Sequence, residues 1–92
     1  MTKPLEIAAW RRQLRFRAWH RGVREMDLIL GRFADRHLAE FSIAQLDRFA
    51  ALLAMDDPDL YEWITGKQAV PAQHDHDVMR LLMRFRVDQV QE

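Results

Sequence analysis

The chain has 92 residues, no cysteine, and 14 basic against 14 acidic side chains, for a formal net charge of +0. A chain of this length holds one domain around one hydrophobic core and leaves little room for the deep cavity that a large cofactor occupies. Without cysteine there is no disulfide scaffold, no thiol redox chemistry and no Cys-based zinc site, and no apolar run approaches the length of a membrane span.

The opening stretch, "MTKPLEIAAWRRQLRFR", has basic residues but no apolar core followed by small residues for cleavage, so it does not read as a secretory signal. A mature cytosolic chain is expected. Ile7, Trp10, Leu14 and Ala18 recur at steps of three and four and predict a helix over 5–20, with Phe16 and Trp19 as a second pair beside that face. Gly22 is expected to end it as a left-handed residue just past the last turn. Met26, Leu30, Phe33, Ala34 and Leu38 predict a second helix over 23–38. "SIAQ", from Ser42 to Gln45, is a capping-box pattern that opens a third helix over 42–55, with Leu46, Phe49, Ala50 and Leu53 as its buried stripe. In "DDPDLYEWITG", Asp57 is the expected N-cap and Pro58 the first helical residue. Asp59 complements the helix dipole, Gly66 stops the run, and Leu60, Trp63 and Ile64 face inward. A polar loop with proline leads to a last helix over 76–90 whose core face is Val78, Leu81, Leu82 and Phe85. No segment alternates with period two. The expected fold is all-α, a single compact bundle of about five helices formed by one domain, 1–92.

Charge is unevenly spread along the chain. Residues 1–25 carry seven Lys or Arg against two acids, residues 26–62 three against eight, and residues 63–92 four against four. The densest cluster is "HRGVREMD", residues 20–27, at the break between the first two helices. Dipole complementarity accounts for much of its order: His20 and Arg21 close one helix, while Glu25 and Asp27 open the next. Trp19 and Phe16 beside the arginines add the residue types from which interface hot spots are made. Arg21 and Glu25 stand four apart in the weaker order for a helical ion pair, which leaves both available to meet something else.

Arg21-Gly22-x-x-Glu25 within "WHRGVREMDLILGRFAD", followed downstream by "LLAMDDPDLYEWITG", resembles the succinate dehydrogenase assembly factor family. The resemblance runs from about Arg11 to the last helix. It implies a small helical factor that promotes covalent attachment of FAD to the flavoprotein subunit of succinate dehydrogenase, and of fumarate reductase in some bacteria. It also implies that Arg21, Gly22 and Glu25 lie in the surface that engages the flavoprotein, with Arg24, Asp27, His20 and Trp19 as neighbours in that surface. Asp57, Pro58, Asp59, Leu60 and Trp63 match family positions as well; physically they read as helix start and core anchor. The implied role is that of a chaperone-like factor and not an enzyme, acting as a monomer on FAD carried by its partner. The three glycines are too far apart for a phosphate cradle, so stable flavin binding by this chain is not expected.

Other features read more simply. His74 and His76 in "HDHD" offer imidazole beside carboxylate, the ligand types of a transition metal, but a polar loop and helix cap explain them. His37 is expected as a cationic partner of a helix C-terminus. The run from Arg11 to Arg17 serves as a solvated helix face, or else meets an acidic rim or phosphates on a partner. The competing function is a regulatory or nucleic-acid-binding module of helix-turn-helix type, antitoxin-like by resemblance to some relatives. A reading helix should present Asn, Gln, Ser or Arg at its exposed first positions, and here only Arg24 qualifies.

Overall fold

The computed structural model describes residues 4–90; the first three and last two residues of the expected domain lie outside them. Five helices follow one another: α1 (Pro4–Trp19), α2 (Arg24–His37), α3 (Ile43–Leu53), α4 (Asp57–Ile64) and α5 (Asp77–Val90). Two short 3-10 turns, Leu38–Glu40 and Ala72–His74, extend the α2–α3 and α4–α5 links. There is no strand among the described residues, and the all-α expectation holds with boundaries within a few residues.

The predicted faces are the buried ones. Leu14 and Ala18 of α1, Met26, Leu30, Phe33 and Ala34 of α2, Leu46, Phe49 and Leu53 of α3, Leu60 and Ile64 of α4, and Val78 and Leu82 of α5 all enter one core. Phe33 sits at its centre, with ring centroids 6.0 Å from Phe41, 5.5 Å from Phe49 and 5.6 Å from Phe85. Edge-on and tilted aromatic contacts at these distances add to simple area burial. Leu52 and Met79, both fully buried, broaden the predicted stripes of α3 and α5. Phe16 goes the other way and stands 63% exposed.

α1 lies along α2, and glycine allows the close approach. A Cβ on the buried Gly31 would lie 2.2 Å from Cδ2 of Trp19, so the indole occupies the space a side chain would need. One turn further along α2, Asp35 accepts from Trp19 Nε1 at 3.2 Å and from Arg15 Nε at 2.5 Å. Trp19 and Arg15 are four apart on α1, Gly31 and Asp35 four apart on α2, and that shared spacing sets the register of the pair.

Helix ends follow the chemistry of their sequences. Ser42 Oγ accepts from Gln45 N at 3.2 Å while Gln45 Oε1 accepts from Ser42 N at 2.9 Å, closing the capping box. α4 starts one residue earlier than expected: Asp56 is its N-cap and Asp57 its first helical residue, and Asp56 makes no side-chain cap bond. Its far end is a Schellman turn. Gly66 has φ +80, and Lys67 N donates to Glu62 O at 2.9 Å while Gly66 N donates to Trp63 O at 3.2 Å. α5 opens with His76, whose Nδ1 accepts from Met79 N at 3.1 Å. Asp77 then ties α5 to α3, accepting from Arg48 at 3.0 Å and Gln45 at 3.1 Å. Those hydrogen bonds, Gln45's foremost, hold its carboxyl below the usual range.

Candidate functional site

The link between α1 and α2 is where the sequence concentrates its charge, and there the structure commits Arg21 inward. Its side chain is only 11% exposed. Nε donates to Asp57 Oδ1 at 2.8 Å, one terminal nitrogen to Leu53 O, and the other to Met55 O at 2.6 Å. Leu53 ends α3, where carbonyls lack intrahelical donors, Met55 lies in the link just beyond it, and Asp57 opens α4. A planar cation with a fork of donors suits both needs, capping one helix and pairing with the first residue of the next. Arg21 was expected to be available to a partner; it is instead the brace that holds the α3–α4 link against the α1–α2 link.

Arg21 N also donates to Asp27 Oδ1 at 2.6 Å, so Asp27 folds the link back on itself. Gly22 between them has φ +96, as the expected left-handed conformation requires, and nothing lies within 4 Å of where its Cβ would be. α1 has already ended at Trp19, which places Gly22 in the link itself and not directly at the helix end.

Glu25 is exposed and accepts from the Tyr61 hydroxyl at 3.2 Å. The two motif residues therefore do not pair with each other. Arg21 meets Asp57 and Glu25 meets Tyr61, and both pairs step by four, so the motif is matched rung by rung along α4. Tyr61 was not singled out from the sequence; its four-residue offset from Asp57, equal to that of Glu25 from Arg21, is the signal that would have found it. Arg24, the intervening charged residue, is exposed.

On either side of this brace lies a shallow recess. One, about 270 Å³, is lined by Val23, Glu25, Met26, Asp57, Pro58 and Tyr61 and is almost wholly apolar. The other, about 220 Å³, is formed by Phe16, Arg17, His20 and Arg21. His20 stacks on Phe16 with centroids 3.9 Å apart and planes 19° from parallel, and its Nδ1 lies 2.7 Å from Phe16 O. A carbonyl only accepts, so Nδ1 carries the proton. Trp19, by contrast, turns towards α2 and Gly31. Of the expected surface, His20, Arg24 and Glu25 face outward, Asp27 and Trp19 are half-buried, and Arg21 is enclosed.

Arg11 repeats the device of Arg21. Its guanidinium donates to Leu38 O and Phe41 O, both at 2.8 Å, and closes the turn after α2. Arg15 pairs with Asp35 at the surface and is exposed, as are Arg12 and Arg17, so of the basic run only Arg11 is drawn inward.

The histidines divide. His76 is a helix cap, as expected. His74 is not in a polar loop: it is 5% exposed, with its ring 5.5 Å from that of Trp63 and both nitrogens without a protein partner. Asp75 pairs with Arg80 and Asp77 with Arg48. No three His, Cys, Asp or Glu among the described residues are grouped to hold a metal. His37 departs from the expected cationic role. It packs 4.8 Å from Phe33 and 5.9 Å from Phe85, and burial first, then the neighbouring Arg36, lowers its affinity for a proton.

Comparison with known proteins adds a family to this geometry. Residues 12–86 match the family described as flavinator of succinate dehydrogenase. The chain is 35% identical over 77 residues to the mitochondrial succinate dehydrogenase assembly factor 2 of Dictyostelium discoideum, covering 84% of this chain and 55% of that one. It is 32% identical over 77 residues to the FAD assembly factor SdhE of Acetobacter pasteurianus, covering 84% and 71%. Against the mitochondrial succinate dehydrogenase assembly factor 2-A of Drosophila yakuba it is 34% identical over 85 residues, covering 90% and 51%. The chain thus spans about half the length of the mitochondrial relatives it matches.

Proposed function

The chain belongs to the flavinator of succinate dehydrogenase family, and from that premise we propose that it is an assembly factor that docks on the flavoprotein subunit of succinate dehydrogenase and promotes covalent attachment of FAD to it. The flavoprotein of fumarate reductase is a second client on this reading. The factor acts as a cytoplasmic monomer, a setting that the absence of cysteine fits, and takes no nucleic acid. It holds no flavin stably itself; the FAD it acts on is carried by the partner. No helix among the described residues is long and apolar enough to cross a membrane.

The observation that carries the reading is the braced corner, Arg21 to Asp57 and Glu25 to Tyr61, lying wholly within the matched span. Flavin attachment requires loss of a proton from the 8α-methyl group, attack by a histidine of the client, and stabilisation of negative charge on the flavin ring. By residue type Glu25 is a candidate base and Arg21 a candidate anion stabiliser. Arg21, however, already serves three oxygens. Glu25 is exposed to water. This arrangement favours positioning over chemistry: the corner holds the client so that its own groups and the flavin align. Orientation alone is worth up to about 7–11 kcal/mol in well-aligned intramolecular reactions. A standard interface covers about 800 Å² per partner, a modest share of the 6003 Å² of surface.

The test is co-expression of the flavoprotein with and without this chain, followed by flavin fluorescence of the denatured subunit. Covalent flavin should rise in its presence; an unchanged level overturns the assignment. In the same assay Glu25→Ala should lower flavin attachment about tenfold or more while shifting the unfolding free energy by no more than about 0.5 kcal/mol, the usual range for an exposed site. Equal loss of stability and activity would make the motif structural only.

A further inference from the structure

The recess lined by Val23, Met26, Pro58 and Tyr61 has walls almost entirely of carbon, yet lies on the surface with Val23 itself 50% exposed. Its volume of about 270 Å³ falls below the roughly 300–1,000 Å³ of small-molecule pockets, which suits a side chain and not a flavin. Val23 is also the N-cap residue of α2, in extended conformation and with no side-chain cap bond. Ser, Thr, Asp or Asn there would satisfy a free backbone donor. The sequence forgoes that gain and places a β-branched apolar side chain at the lip of an apolar recess.

The rim has a sign. Two carboxylates, Glu25 and Asp57, border the recess, and Arg21 neutralises Asp57. Exposed Asp56 and Asp59 adjoin Asp57 and Pro58 in the chain, against one exposed cation, Arg24, between Val23 and Glu25, so the charge around the recess is acidic on balance.

From these observations we infer that the recess is the anchor socket for the client: it takes one apolar side chain of the flavoprotein subunit, and an adjacent lysine or arginine of that same segment pairs with Glu25. The inference rests on the docking role proposed above and makes it specific. Affinity comes from covering Val23, Pro58 and Tyr61 above the already buried Met26, and register from the charge pair, as in interfaces where a buried anchor is ringed by polar contacts.

Val23→Ser separates a socket from a structural role, because it removes two methyl groups while installing a helix cap. Purified flavoprotein subunit lacking covalent flavin is titrated with the wild-type chain and with Val23→Ser, and the urea midpoint of each is measured. The socket requires about tenfold weaker binding with an equal or higher midpoint. Glu25→Lys should weaken binding further and reverse its salt dependence. If the wild-type chain binds and Val23→Ser binds equally well, the socket is wrong and the assembly role stands. If the wild-type chain fails to bind the subunit, the assembly role fails too. If sedimentation shows a wild-type dimer that Val23→Ser abolishes, the occupant is a second copy of this chain and the inference is overturned.

Discussion

Arg21 illustrates how a residue type that signals recognition is drawn into architecture. An arginine beside aromatics at a chain reversal is chemically suited to a partner, but the carbonyls ending α3 and the carboxylate opening α4 lie within reach of the same fork. Enclosing those oxygens without a donor costs more than leaving an arginine out of an interface. Arg21→Ala should therefore lower the unfolding free energy by about 3 kcal/mol or more, the cost of orphaning one partner of a buried charged pair. Arg21→Lys should recover only part of it, because one ammonium cannot reach three oxygens along a plane. Urea denaturation of the two variants measures both. Gly31 is a second position where one atom decides. Gly31→Ala places a Cβ against the Trp19 indole, and displacing the ring should cost about 1–3 kcal/mol, visible as a lower urea midpoint with altered tryptophan fluorescence.

Among the elements, α3 and α4 show how differently capping is used. The box at Ser42 and Gln45 is complete, and Ser42→Ala should cost about 1 kcal/mol of stability without altering flavin attachment, since it lies away from the motif. Thermal unfolding beside the co-expression assay distinguishes the two effects. α2 and α4, whose starts both border the apolar recess, have no side-chain bond from their N-cap residues. These helix starts are held instead by the largely buried pair of Arg21 and Asp57, to which the exposed contact of Tyr61 with Glu25 adds little. Local stability is given up where the surface faces outward and recovered through contacts between elements.

For the whole molecule, the five helices share one core with a radius of gyration of 12.8 Å, close to the roughly 12 Å of a compact domain of this length. Its stability should depend on pH through two histidines. Burial lowers the proton affinity of His37, aided by Arg36 and opposed by Glu40. Burial likewise lowers that of His76, with Asp77 opposing and Arg48 and His74 assisting. A folded value below the unfolded 6.5 means that the unfolded chain takes up protons first. Stability is then complete above about pH 6.5 and falls as pH drops through that value towards the lower folded ones. The urea midpoint should be lower at pH 5.5 than at pH 7.5, and His76→Asn, which keeps a capping side chain, should flatten the difference. Asp77 acts in the same sense at lower pH, adding stability above its ordinary 3.8 that is lost as its carboxylate protonates.

The sequence by itself determined the helices, their inward faces and most of their ends, because those follow from periods of three and four and from short-range rules that caps, prolines and glycines obey locally. Met26, Leu30, Phe33, Ala34 and Leu38 are legible in this way, as are the Ser42–Gln45 box and the stop at Gly66. It also marked the corner, through the spacing of Arg21, Gly22 and Glu25. Only the tertiary structure decided which way each of those side chains points. Asp57, Leu53 and Met55 stand more than thirty residues from Arg21 in the chain, and no local period reports that they meet. The same separation hides the apolar recess, whose walls come from two helices that the sequence describes one at a time. A helix's own periodicity records what it buries; where two helix ends come together is fixed by how the core packs.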